Sequence, residues 1–211
     1  MTIAASPAFR LMTLAILSLL AGPLMTACST TKQDSLNVPL AFRPERVTPG
    51  LHSELIPSPG LRLHLAPVVD ARALHDRIGE NIEDSEMGPR PIYAEGMSPD
   101  VFVYEILARE LMSVGYAPGA DAAGANRILT VKLDRFFTVE SNLYRCEVAI
   151  SSEVRSEAGQ VLWQGRSVGK SQRFGRSLSL ENYNQSFSDA TLRAIADLLS
   201  KDDFRVALTV K

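Results

Sequence analysis

The stretch LYRCEVAISSEVR, residues 143 to 155, alternates between two kinds of side chain over its whole length. One set of alternate positions, from Tyr144 to Val154, is mostly apolar, and the other carries Arg145, Glu147 and Glu153. Successive side chains of a strand point to opposite faces of a sheet, so this pattern predicts a long strand with one buried and one wet face. A sheet that is wet on one side is typical of antiparallel pairing.

The segments on either side predict further strands. Residues 156 to 160 contain Gly159 and predict a hairpin turn, after which residues 161 to 172 return as the partner strand with Trp163 in the core. Residues 61 to 66 and 128 to 137 alternate in the same way. Residues 70 to 98 are polar and rich in Gly and Pro, which predicts a long loop of the kind that is often functional or disordered.

Two segments have helical spacing. Ser98, Pro99 and Asp100 suit a helix N-terminus, and Gly115 suits its end. A second amphipathic helix is predicted over residues 181 to 200. The predicted fold is therefore α+β, with a mainly antiparallel sheet of about four strands and two helices packed on one face. Residues 204 to 210 alternate like a short strand, although a helical turn is nearly as compatible with them.

The N-terminus has the layout of a bacterial lipoprotein signal. Arg10 precedes an apolar run from residue 11 to residue 24, and Met25-Thr26-Ala27-Cys28 follows it. The alternative is a transmembrane helix, but about 14 residues span roughly 21 Å, less than the ~30 Å hydrocarbon core of a bilayer. We therefore predict a signal peptide over residues 1 to 27 and lipidation of Cys28, with palmitate among the acyl chains.

The segment after the cysteine predicts a spacer. Residues 28 to 60 carry five prolines, Pro39, Pro44, Pro49, Pro57 and Pro59, without an apolar period. Such a composition favours extended chain over helix, and a part of it could also lie along the domain surface. We predict a lipid anchor and Pro-rich tether over residues 28 to 60 and a single periplasmic α+β domain over residues 61 to 211.

Composition excludes some classes of function. The chain has 22 Lys and Arg against 24 Asp and Glu, a formal net charge of −2, which is not the balance of a nucleic-acid-binding protein. Of its two cysteines, Cys28 would be consumed by lipid, so Cys146 would have no partner for an intramolecular disulfide.

The sequence contains no recognisable motif for catalysis, metal binding or cofactor binding. Residues 165 to 171, GRSVGKS, imitate a phosphate-binding loop but have one residue too few and lie within a predicted strand. His52, His64 and His75 lack metal-ligand spacing, and no nucleophile-elbow motif occurs. Cys146 falls on the apolar side of its strand, which favours a buried thiol over a nucleophile. We predict no enzyme, no metal site and no cofactor.

Candidate contact residues lie in loops and in a basic stretch. Asp70, Arg72 and Arg77 follow the first predicted strand, and Tyr93 lies later in the same predicted loop. An Asp and an Arg two residues apart more often brace their own loop than bind a ligand. The basic stretch contains Arg166, Lys170, Arg173 and Arg176 and suits an anionic partner, but a solvated strand face is the simpler interpretation.

The chain resembles the YajG-type family of bacterial lipoproteins over residues 61 to 205. The residues that carry the resemblance are the motif Met25-Thr26-Ala27-Cys28, the strand and loop Pro67-Val68-Val69-Asp70-Ala71-Arg72 with Ile78-Gly79, the helix end Leu111-Met112-Ser113-Val114-Gly115-Tyr116, the hairpin with Gly159, and Asn182-Tyr183-Asn184. The resemblance implies an envelope lipoprotein and transfers no site residue. The auxiliary lipoproteins of ABC-type lipid transporters are similar in having a lipid anchor and a small α+β domain.

These features predict a non-enzymatic lipoprotein on the periplasmic face of the outer membrane of a Gram-negative bacterium. Its domain would be an accessory or docking module for an envelope protein in envelope assembly or transport, with no nucleic-acid partner. The alternative is a binder of a small envelope ligand, a lipid or glycan, held between the helices and residues 70 to 98; such a binder could be the auxiliary lipoprotein of an ABC-type lipid transporter. A cell-wall hydrolase would need a nucleophile or a metal cluster that the sequence does not offer.

Overall fold

A computed structural model describes residues 35–45, 58–83, 88–119 and 121–209. The predicted signal peptide, the predicted lipidation site Cys28 and part of the predicted tether lie outside the described residues. The strands are β1 (Leu36–Pro39), β2 (Leu63–Leu65), β3 (Val69–Asp70), β4 (Gly79–Asn81), β5 (Arg90–Glu95), β6 (Arg127–Glu140), β7 (Tyr144–Ser156) and β8 (Val161–Arg173), and the helices are α1 (Pro99–Ser113), α2 (Leu180–Ser200) and α3 (Asp202–Ala207).

The described residues form one mixed sheet of eight strands. Six strands follow the order β1-β5-β4-β6-β7-β8, and β2 and β3 also pair with β6. β2, β3 and β4 run parallel to β6, and β1 runs parallel to β5. The predicted sheet of about four mainly antiparallel strands with two helices is therefore wrong. Three of the missed strands lie in or next to the predicted loop of residues 70 to 98. β3 and β4 have only two and three residues, and the six residues of β5 do not alternate between apolar and polar side chains.

The three long strands match the alternating patterns. β6 pairs with β7 and β7 with β8, both antiparallel, and a register shift in the first pair lies between Leu133 and Arg135. Tyr144, Cys146, Val148, Ile150, Ser152 and Val154 are all buried, as the sequence predicted. The wet side of β7 faces away from the helices, so the helices cover one side of this part of the sheet.

Aromatic side chains join the helices to the sheet. The ring of Phe136 on β6 stacks on Phe187 of α2 at a centroid distance of 4.2 Å and meets the edge of Phe102 of α1 at 5.7 Å. At the other end of the sheet, Trp163 of β8 packs edge-on against Phe204 of α3 at 5.0 Å. The last segment, for which the sequence left strand and helix open, is therefore a short helix that covers the predicted core tryptophan.

The stretch that imitates a phosphate loop contains a close contact between β8 and α2. Gly165, Ser167, Gly169 and Ser171 alternate toward the helices, and the basic residues between them point the other way. A Cβ atom on Gly169 would overlap the backbone of α2 at Ala190 and Ala194. Ser171 Oγ donates to the carbonyl of Ser186 on the same helix at 2.8 Å, whereas Gly165 leaves room for the ring of Trp163. Close packing against α2 and Trp163 therefore accounts for the small residues of the motif.

The N-terminal described segment is held on the domain. β1 pairs with β5, and beyond it the amide of Ala41 donates to Asn184 Oδ1 at 2.9 Å and that of Arg43 to Ser188 Oγ at 2.8 Å. The guanidinium of Arg109 on α1 lies 4.5 Å from the ring centroid of Phe42. Residues 36 to 45 fall within the predicted tether but form part of the domain, so the spacer before the sheet can be no longer than residues 28 to 35.

Candidate functional site: the open face of the sheet

One face of β6, β7 and β8 is left uncovered by the helices, and we call it the open face. Its polar and charged members are Thr130, Lys132, Asp134, Arg135, Arg145, Glu147, Ser151, Glu153, Arg155, Gln164, Arg166, Lys170 and Gln172. This set has six basic side chains against three carboxylates, in a chain whose formal net charge is −2. The open face is therefore basic although the whole chain is slightly acidic.

Cross-strand ion pairs occupy most of the open face. Glu147 lies 3.4 Å from Arg135 Nε and 3.5 Å from Lys170 Nζ. Asp134 accepts a hydrogen bond from Ser151 Oγ at 2.6 Å and lies 3.5 Å from Arg166 Nε. Because exposed pairs of this kind contribute roughly 0–1 kcal/mol each, they can exchange for contacts with a partner at little cost.

A groove of about 770 Å³ crosses the open face. Its floor is made by β6, β7 and β8, with Thr130, Lys132, Glu153 and Gln164 among its lining residues, and its rim by the connection from β2 to β3 together with the start of β3. Val69 on that rim is 57% exposed. Lys132 on its floor has no ion pair with any described residue, so this part of the structure combines an apolar rim with a cation that is available to a ligand. Its volume lies in the range of small-molecule sites.

The predicted contact residues Asp70 and Arg72 brace their own loop. Arg72 is 4% exposed, and its Nε and Nη2 donate to the two Asp70 oxygens at 2.9 and 2.7 Å. Arg72 Nη1 also donates to the carbonyl of Arg77 at 3.1 Å. Burial alone would raise the pKa of the Asp70 carboxyl, but the hydrogen bonds and charge of Arg72 outweigh it, and the pKa is lowered. The loop is a fixed turn in which Asp70 and Arg72 neutralise each other.

The other predicted contact residues do not join this pair. Tyr93 is half-buried on β5. Asp70 lies beside Leu133 in the middle of β6, whereas Arg173 lies beside Tyr144 at the start of β7 and Arg176 follows in the next loop. The structure therefore separates the predicted contact residues: Asp70, Arg72 and Arg77 share one loop, Arg173 and Arg176 lie at the end of the sheet where β6 ends, and Tyr93 lies apart from both on β5.

That end of the sheet contains a buried polar network that sequence reasoning missed. Glu140 is 1% exposed, and its carboxylate accepts hydrogen bonds from the amide of Leu178 at 2.8 Å and from the hydroxyl of Tyr183. The hydroxyl of Tyr144 donates to the carbonyl of Arg176 at 2.6 Å and accepts from the amide of Ser179 at 3.0 Å. The network fixes residues 174 to 179, which we call the β8–α2 loop.

The thiol of Cys146, in the described part of the chain, is buried. Burial raises the pKa of the Cys146 thiol to about 12, which keeps it protonated and unreactive. No group of three His, Cys, Asp or Glu side chains suited to a metal ion occurs among the described residues. No described helix has both the length and the hydropathy needed to span a bilayer.

Comparisons with known proteins identify a fold. XCC0632 of Xanthomonas campestris, a protein of family DUF330, is similar in structure with a TM-score of 0.52 and 12% identity over 82% of this chain and 96% of that chain. At this identity the likeness concerns the fold alone.

Two further solved structures are more distant. PelC of Paraburkholderia phytofirmans, solved as a dodecamer, has a TM-score of 0.40 and 16% identity over 66% of this chain and 86% of that chain. The lipoprotein GNA1162 of Neisseria meningitidis has a TM-score of 0.29 and 13% identity over 57% of this chain and 90% of that chain. No protein-family profile and no curated protein sequence matches the chain.

Proposed function

We propose that the protein is a lipid-anchored lipoprotein on the periplasmic face of the outer membrane, and that its domain is a non-enzymatic docking module for an envelope protein. The observation that carries the proposal is the motif Met25-Thr26-Ala27-Cys28 behind a short apolar run. Some of the solved structures that are similar to the chain are named lipoproteins, among them GNA1162.

The docking role is supported by the open face. It is basic, its ion pairs are exposed, and its groove has an apolar rim at Val69. A surface suits an interface when its charges complement those of the partner and when covering it costs little free energy. Exposed ion pairs cost little to break, so the open face meets the second condition. The partner expected from this charge pattern presents an acidic surface.

The anchor is tested by mass spectrometry of the N-terminal peptide and by membrane fractionation. We expect acylated Cys28 in the native chain, and release of a Cys28→Ser variant from the membrane fraction. An unmodified Cys28 in a protein that still fractionates with membranes would contradict the anchor.

The docking surface is tested by photo-crosslinking in cells. A photoreactive residue at Gln164, on the open face, should give one defined crosslinked product, and the same residue at Glu105, exposed on α1, should not. Equal crosslinking from both positions, or none from Gln164, would contradict docking through the open face.

The volume of the groove favours a second candidate function, the binding of a small envelope lipid or glycan. The groove lies on the open face, so this candidate site differs from the one predicted between the helices and residues 70 to 98. Native mass spectrometry of the membrane-extracted protein should then show a retained mass that a Gln164→Trp variant, with its groove filled, loses. A protein that carries no added mass would count against this function.

A further inference from the structure

The chain enters the domain at the end of the sheet where β6 ends. β1 runs parallel to β5 with Leu36 beside Ile92, and β5 begins at Arg90, opposite Asn81 at the end of β4. Asn81 in turn lies beside Glu140, the last residue of β6. The entry of the chain, the end of β6 and the β8–α2 loop therefore share one end of the sheet, which we call the entry end.

The spacer before β1 is short compared with the domain. Ser35 follows Cys28 by seven residues, which reach about 25 Å when fully extended at ~3.6 Å per residue. β6 has 14 residues and is about 46 Å long at ~3.3 Å per residue. A lipid on Cys28 therefore stays within about 25 Å of the start of β1 and does not reach the opposite end of the sheet.

The entry end presents an aromatic side chain to solvent. Phe174, in the β8–α2 loop, is 77% exposed, and Leu180 at the start of α2 is 41% exposed. Arg176, two residues after Phe174, is also exposed, whereas Nε and Nη1 of Arg173 are buried. Hydrogen bonds to Glu140 and Tyr144 fix the loop with Phe174 toward solvent. Binding through Phe174 therefore requires little further ordering of the loop.

We propose that the β8–α2 loop docks on the lipid bilayer that holds the anchor, with Phe174 in the interface and the exposed Arg176 against anionic phospholipid headgroups. Aromatic and basic side chains together are typical of interfacial membrane contacts. Glu83 is exposed just after β4 at the same end, and its negative charge is unfavourable next to anionic headgroups. The proposed membrane contact is therefore made by the β8–α2 loop and not by the whole entry end. This inference rests on the proposed anchor at Cys28.

The test measures the depth of one side chain in the bilayer. The lipidated protein is reconstituted into phosphatidylglycerol-containing vesicles whose phosphatidylcholine carries brominated acyl chains, which quench tryptophan on contact. The chain has one native tryptophan, Trp163, which is buried at the opposite end and serves as internal background. The variant is Phe174→Trp. The matched control is Val206→Trp, because Val206 is 66% exposed on α3 at the opposite end.

We expect loss of the added emission in Phe174→Trp and none in Val206→Trp, with a smaller loss for Phe174→Trp in vesicles without phosphatidylglycerol. Quenching of Val206→Trp alone, or of neither variant, would overturn the docking. If the added emission of Phe174→Trp reported burial in native envelope membranes but not in protein-free vesicles, the loop would belong to a protein partner and the docking would also be overturned. Acylation of Cys28, measured by mass on the same sample, separates failure of this inference from failure of the anchor.

Discussion

Glu140 shows how a single buried carboxylate organises the entry end. It is 1% exposed, and a buried carboxylate is costly unless its oxygens accept hydrogen bonds. Its two donors are the amide of Leu178 and the hydroxyl of Tyr183, one in the β8–α2 loop and one in α2. Leu178 adopts a positive φ of 54°, which is unfavourable for leucine, and its bond to Glu140 holds it there. The loop conformation therefore depends on side chains from β6 and α2.

The two tyrosines of this network predict a loss of stability at alkaline pH. Burial raises the pKa of Tyr144 to about 12 from an ordinary value of 10.0, and burial together with Glu140 raises the pKa of Tyr183 further. The unfolded chain then releases these protons first, so the free energy of unfolding is fully present below pH 10 and falls as pH rises toward about 12. Urea unfolding measured across this window checks the slope.

A variant separates this effect from general alkaline damage. Tyr144→Phe removes one titrating hydroxyl together with its bonds to Arg176 and Ser179. We expect lower stability at neutral pH and a shallower decline at alkaline pH than in the native chain. Equal slopes for the two proteins would show that Tyr144 does not contribute to the pH dependence.

At the scale of elements, length decides what the sequence could predict. α1, α2 and the three long strands each offer several periods of a pattern, and the structure contains all five near the predicted bounds. β3 has two residues and β4 three, which is less than the alternation needed to distinguish a strand from a loop. β1 contains Pro39 and lies among prolines, and it pairs with β5, which is distant in the sequence.

Gly169 sets the distance between α2 and the sheet, which predicts that Gly169→Ala destabilises the domain. The added methyl group would overlap the backbone of α2, and a helix backbone cannot move aside as a flexible side chain can. We expect a loss of about 1–3 kcal/mol in the free energy of unfolding, measured by urea denaturation. Val168→Ala, on the open face one residue earlier, is the control and should change stability less. Equal losses would contradict the close-packing role of Gly169.

Asn184 fastens the N-terminal segment to α2, which predicts a local effect of Asn184→Ala. Its Oδ1 accepts from Ala41 at 2.9 Å and its Nδ2 donates to the carbonyl of Pro39 at 3.1 Å. We expect faster amide hydrogen exchange in residues 36 to 45, with β6 to β8 unchanged, because the rest of the core does not depend on this side chain. The control is Gln185→Ala, because the side-chain amide of Gln185 donates its hydrogen bond to Glu181 on the same helix. Uniform exchange changes across the chain would contradict a local fastening.

At the scale of the whole molecule, the relative positions of the predicted contact residues depend on strand pairings that the sequence does not predict. Asp70 and Arg72 pair with each other at a turn that also holds the carbonyl of Arg77, as the simpler interpretation had it. Arg173 and Arg176 lie at the entry end because β8 runs antiparallel to β7. The parallel pairing of β1, which brings the chain entry to the same end, connects residues that no local pattern relates. The groove likewise requires the connection from β2 to β3 to lie beside β6.

The orientation of the anchored domain depends on the length of the spacer, which predicts the effect of an insertion. A single loop with one exposed aromatic side chain binds a bilayer weakly, so we expect the short chain from Cys28 to Ser35 to keep the loop at the surface. A flexible Gly/Ser segment inserted after Lys32 should reduce the quenching of Phe174→Trp by brominated lipid. The same segment inserted after Gly50 lies beyond β1, leaves the spacer unchanged and should leave the quenching unchanged. Equal quenching in both insertion variants would show that the loop holds its orientation without the spacer, and a loss in both would point to a damaged domain.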